Sequence, residues 1–169
     1  MNELKQILEA LQQPEYVHIL LNPLPVYATA MGVLALVLGI ITRSVPAKTV
    51  ALVIILVGCV SVWPVGEYGE RAADRVQSMS DADGRAWLRA HSARADAGQL
   101  VFYATAVLAA AAMVALWKFP KAGTWLTLLT LVAALVCLLV GAWISHAGGQ
   151  IRHTEFRAGP PPASAGRHE

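Results

Sequence analysis

The chain has 169 residues, of which 56% are hydrophobic and 14% charged, with a net charge of +2. A mean hydropathy of +0.53 excludes an ordinary soluble domain, in which about a quarter of the residues carry charge. The length accommodates four spans of about twenty residues, so a transporter of ten or more helices is excluded. The balance of 13 basic against 11 acidic residues lacks the one-signed basic field of a nucleic-acid binder.

In chain order, the first element is MNELKQILEALQQ, where Leu4, Ile7, Leu8 and Leu11 recur at helical spacing and Pro14 ends the pattern. This predicts an amphipathic helix over residues 1–14. It lacks the basic start and cleavage site of a secretory signal, so it is expected to remain, on the membrane surface or against the bundle. Four uncharged apolar stretches follow, at about 24–42, 49–65, 100–117 and 125–144. Unsatisfied backbone groups are costly in lipid, so each is expected to be a spanning helix, giving an all-α, four-helix integral membrane bundle. Gly32, Gly39, Gly58, Gly141 and the run Ala109 to Ala112 permit close contact between the helices.

The connections from Arg43 to Lys48 and from Lys118 to Thr124 are short, and they carry four basic residues and no acid. The positive-inside rule assigns them to the cytoplasm and both termini to the periplasmic side of a bacterial inner membrane. Trp63, Trp117, Trp125 and Trp143 fall near span ends, as an aromatic belt requires. The lack of charge within any span argues against an ion or proton pathway. Cys59 and Cys137 lie inside spans and read as small apolar packing residues.

Between the second and third spans, Ser80 followed by Asp83 predicts a helix start near Asp81. The third helix is therefore expected to begin well outside the apolar stretch, putting His91 about 13 Å from its boundary and forming a non-cytoplasmic helical cap. Residues 154–169 are rich in Pro, Gly, Ala and Ser and read as a disordered or partner-bound tail.

The chemistry concentrates in His18, His91, His146 and His153, each near the start or end of a span. Imidazoles on facing helices are how bundles hold iron and other metals. A b-type haem needs two axial imidazoles and a slot lined by small residues, for which Gly98 and Gly149 are candidates on the faces of His91 and of His146 and His153. Two histidines seven residues apart lie about 10 Å apart along a helix, so His146 and His153 cannot clasp one iron. Arg71, Arg75, Arg89, Arg94 and Arg152 are candidates for binding propionates. A non-haem metal site is the competing use of the same four histidines, with Glu67 and Glu70 as added donors, although no HExxH or cysteine pair supports it.

The segments HILLNPLP, WPVGEYGERA, HSARADAG and GAWISHAGGQIRH together resemble a family of uncharacterised bacterial four-helix membrane domains. The resemblance covers most of residues 18–153, and its matching positions are His18, Asn22, Gly66, Glu67, His91, Gly148, Gly149 and His153. It implies a cytochrome-like electron-transfer subunit with one or two b-type haems, rather than an enzyme. It further implies that the partners are the lipid bilayer and either other subunits of a membrane redox complex or a periplasmic cytochrome. Ligation is expected from His91 with His146 or His18, with His153 serving a second haem or a propionate. Pro23 stands where a second histidine or a polar residue is expected, which weighs against a second haem. The alternative of another class is a cofactor-free structural or assembly subunit.

Overall fold

The computed structural model describes residues 2–162, and among them there is no strand. The helices are α1 Glu3–Ala10, α2 Pro14–Leu21, α3 Leu24–Ile41, α4 Val45–Val60, α5 Val62–Ser78, α6 Ala82–Lys118 and α7 Pro120–Arg152, followed by a 3-10 turn at Thr154–Phe156. Four stretches are long and apolar enough to cross a membrane, at Pro14–Ile41, Val45–Ser78, Ala82–Lys118 and Pro120–Arg152. Only 28% to 39% of their most apolar windows is buried within the protein, so most of that surface demands an apolar solvent. The helices run beyond the apolar limits read from the sequence, because polar turns continue them at one or both ends.

Prolines at first turns punctuate this order. Pro14 and Pro120 each begin a helix and Pro46 sits in the first turn of α4, positions where the missing N–H is not needed. The connection expected over Lys118 to Thr124 shrinks to Phe119 alone, and Gly123 makes this possible: a Cβ there would lie 2.6 Å from Leu116 Cα.

The chain divides into two compact units. One comprises residues 23–63 and 98–141 and has a single core drawn from α3, α4, α6 and α7, with Leu36, Leu52, Ile55, Phe102, Ala109, Ala112 and Ala134 almost fully buried. α3 packs on α4 through small residues: a Cβ on Gly32 would stand 2.6 Å from Ile55 Cγ1 and one on Gly58 2.9 Å from Thr29 N. Beside these contacts, Thr29 Oγ1 lies 3.9 Å from Cys59 Sγ, and Thr105 Oγ1 lies 3.2 Å from Cys137 Sγ while donating to the Val101 carbonyl at 2.8 Å. Both cysteines are buried free thiols, and each has a threonine as polar neighbour as well as apolar packing.

The other unit comprises residues 1–22, 64–97 and 142–169. Its apolar centre is Trp87 with Ala147 and Ile151, flanked by Val76, Leu88 and Ala90. α1 forms within the span read from its periodicity, capped by Asn2, whose side chain accepts from Leu4 N. Leu4, Ile7, Leu8 and Leu11 are all exposed, so of the two surfaces open to this helix it does not use the protein's own.

α6 begins beside Asp81, whose carboxylate accepts from Gly84 N at 2.7 Å, as an N-cap near Asp81 requires. Arg157 extends this cap. Its guanidinium donates to both Asp81 oxygens at 2.6 and 3.0 Å and to the carbonyls of Gln150 and Ile151 at 2.8 and 2.9 Å, the last turn of α7. The start of the segment read as a disordered or partner-bound tail is therefore tied into this unit, because one arginine satisfies orphan carbonyls and a capping carboxylate together. Residues 163–169 of that segment lie outside the described residues.

Candidate ligand site: the His18 and His91 pair

Two of the four candidate histidines come together. His18, in the last turn of α2, is hydrogen-bonded through Nδ1 to the Val65 carbonyl of α5 at 2.9 Å. His91, on α6, makes the same bond to the Ile144 carbonyl of α7 at 3.0 Å. Four residues beyond each acceptor is a glycine, Gly69 or Gly148, where a Cβ would lie 3.0 Å from Cε1 of His18 or 3.1 Å from Cε1 of His91. A helical carbonyl points toward the residue four positions on, so a side chain there would occupy the space the ring takes. Glycine lets the imidazole lie across the helix and reach its carbonyl.

The two rings stand 6.4 Å apart between centroids, with planes at 83°. A carbonyl only accepts, so each bonded Nδ1 carries the proton, and the neutral form of each ring has its lone pair on Nε2. A carbonyl partner on the far nitrogen is the usual second support of a metal-bound histidine. Two imidazoles on opposite sides of one metal, each bonded at about 2 Å, have centroids roughly 6.3 Å apart, close to the spacing of this pair.

His146 and His153 are exposed, and among the described residues neither joins the pair in a group of three candidate ligands. His146 meets the edge of the Trp87 ring at 5.9 Å, and His153 stacks on Phe156 at 4.9 Å while its Nδ1 lies 2.9 Å from Glu155 Oε1. Asn22 is the exposed C-cap of α2. Gly98 is buried in the other unit, seven residues along α6 from His91. A Cβ on Gly149 would meet only Phe156, at 4.0 Å, so its neighbour Gly148 is the glycine that admits a histidine. Arg94 is half-buried, donates to the Trp143 carbonyl at 2.8 Å and lies over the Trp143 ring at 4.9 Å. Arg152 ends α7, exposed. Arg71 is paired with Glu67 at 2.6 Å and Arg75 with Glu15 at 2.6 Å.

Among the described residues, no group of three or more His, Cys, Asp or Glu side chains converges where it could hold a metal ion. The four histidines read as one metal set are thus a pair and two separate rings. A bare ion wants four or more protein or water ligands, whereas a haem iron takes four nitrogens from its own macrocycle and needs only two from the protein. A pair supplies the number of protein nitrogens the second case needs, at a centroid spacing of 6.4 Å. Trp87, on the same face of α6 one turn before His91, has a buried Nε1–H with no partner among the described residues, and the same holds for Gln150 Oε1 of α7.

Val65, Gly69, Ile144 and Trp87 were not legible as site residues. The usable signal is that WPVGEYGE and WISHAGG each set a glycine four residues after an aliphatic residue near the end of an apolar stretch. Compared with protein-family models, curated proteins and solved structures, the chain matches none.

Proposed function

We propose that this chain is a four-helix integral membrane subunit that holds one b-type haem between His18 and His91 and relays electrons between a periplasmic carrier and a membrane partner. The observation that carries this reading is the pair itself: two imidazoles 6.4 Å apart, each bonded through Nδ1 to a backbone carbonyl. The chemistry a bound haem supplies is a one-electron couple.

The chain's own residues do the rest. The Val65 and Ile144 carbonyls fix the tautomer and the orientation of each ring and raise the basicity of Nε2. Gly69 and Gly148 clear the space that lets those bonds form. Trp87 Nε1–H and the arginines at the polar helix ends are the available donors for carboxylates. His18 and His91 would together hold the haem iron from the protein side, a use that suits electron transfer better than catalysis. Basic short connections support the orientation with both termini periplasmic in a bacterial inner membrane.

The test is absorption spectroscopy of the purified chain. The reading requires a Soret band that shifts on dithionite reduction, lost in both His18→Ala and His91→Ala and kept in His146→Ala and His153→Ala. A colourless, folded protein from haem-replete cells refutes it.

A further inference from the structure

A second candidate site lies in the apolar-core unit, far along the sequence from both histidines. A cavity of about 290 Å³ is lined by Ile40, Arg43, Lys48, Thr124, Thr127 and Leu128. Its lining is amphipathic, with two aliphatic side chains, two cations and two hydroxyl residues. No acid occurs in the connections that border it, 42–49 and 118–124, and among the described residues neither cation has an ion-pair partner. Lys48 stands at the end of the first turn of α4 and Thr124 just past the first turn of α7, whose positive helix ends add to the field. The hydroxyls of Thr124 and Thr127 donate to Pro120 and Gly123 carbonyls at 3.0 and 2.7 Å, so the free donors here are the two cations.

Both cations are held by the backbone arrangement. The Lys48 stem crosses α3 at Gly39, where a Cβ would lie 3.0 Å from Lys48 Cγ. Arg43 occupies the left-handed position after α3 at φ 54°, the one positive φ outside glycine among the described residues. That position favours glycine at helix ends, so the arginine sits there against its backbone preference. Strain of this kind is retained where the side chain has a use.

We propose that this cavity binds a phosphate anion, specifically the phosphodiester head group of an anionic phospholipid, with Arg43 and Lys48 on the phosphate and Ile40 and Leu128 against the first acyl carbons. An amphipathic cavity beside the ends of apolar helices suits a lipid better than a free ion. The inference rests on the membrane-spanning part of the proposed function and is independent of the haem.

The test uses the full chain in nanodiscs of phosphatidylcholine containing a minor fraction of phosphatidylglycerol, with retained lipid counted by native mass spectrometry. The expected result is roughly tenfold enrichment of phosphatidylglycerol in the retained lipid, abolished in the R43Q/K48Q variant. Arg43→Gly is the folding control, since glycine accepts the left-handed backbone: it should melt at or above the wild-type temperature yet lose the enrichment. Equal retention of the two lipids, or enrichment unchanged in these variants, overturns the proposal. Displacement by excess inorganic phosphate overturns the lipid as source and identifies a free anion as the ligand. A colourless protein that still retains phosphatidylglycerol refutes the haem and leaves this site standing.

Discussion

The His18 and His91 halves of the candidate site use one device in two different backbones. On one side the histidine belongs to α2, a helix of 8 residues that ends before Pro23, and its acceptor belongs to α5, separated from α4 at Ser61. On the other, His91 and Ile144 lie within the uninterrupted helices α6 and α7, of 37 and 33 residues. Yet each half has a ring, a carbonyl at 2.9 or 3.0 Å, and a glycine four residues beyond the acceptor. The threonine and cysteine pairs repeat the theme, Thr29 with Cys59 and Thr105 with Cys137. The lesson is that two hairpins can carry equivalent polar machinery while their helix breaks shift its spacing along the chain, so that no direct sequence repeat survives.

If the halves are equivalent, His18→Ala and His91→Ala should each remove the haem band completely. Loss in one alone would break the comparison and assign the iron to a single histidine.

Gly69→Ala and Gly148→Ala come next. Each Cβ would stand within about 3 Å of a ring pinned by its hydrogen bond, costing about 1–2 kcal/mol of stability. Haem affinity should weaken in both, measured by denaturant melts in detergent and by haem titration. Gly149→Ala, whose Cβ would make an ordinary contact with Phe156 at 4.0 Å, should change neither.

The threonines sharpen the difference between the hairpins. Thr105 is 3.2 Å from its thiol and Thr29 is 3.9 Å from its own, so Thr105→Val should cost about 1 kcal/mol and Thr29→Val less than half of that. Equal costs would show that packing alone matters at both.

The smallest effect is expected at the α6 cap. Arg157 and the Gly84 N–H hold the Asp81 carboxyl below the usual carboxylate range. Because the folded-state pKa is depressed, the contribution is present above the unfolded value and lost as pH falls below about 4. Acid melts should show that loss in the wild type and not in Asp81→Asn.

The sequence was most legible where one physical effect dominates. The apolar stretches marked the membrane-length helices because no charged residue interrupts them, and the Asp81 cap was readable because a short polar side chain before a helical period has one favourable use. The histidines were also legible as candidates, with His146 and His18 as the two expected partners of His91, but not which of the two comes beside it. Pairing depends on which turns of α2, α5, α6 and α7 face one another, and the partners are backbone carbonyls, which leave no mark in a sequence. His146 and His153 share the residue type of His18 and His91 and differ in being exposed and in having no carbonyl partner among the described residues. Arg157 was read as part of a loose tail because its role depends on two helix ends brought together in space.

In the proposed function His18 and His91 would hold one haem between them, with ring planes near perpendicular at 83°. Electron paramagnetic resonance of the oxidised protein tests it most directly. The account predicts a highly anisotropic low-spin ferric signal, the signature of crossed imidazole planes. A high-spin signal, a low-spin signal of the parallel-plane type, or no haem signal in the folded protein would contradict it.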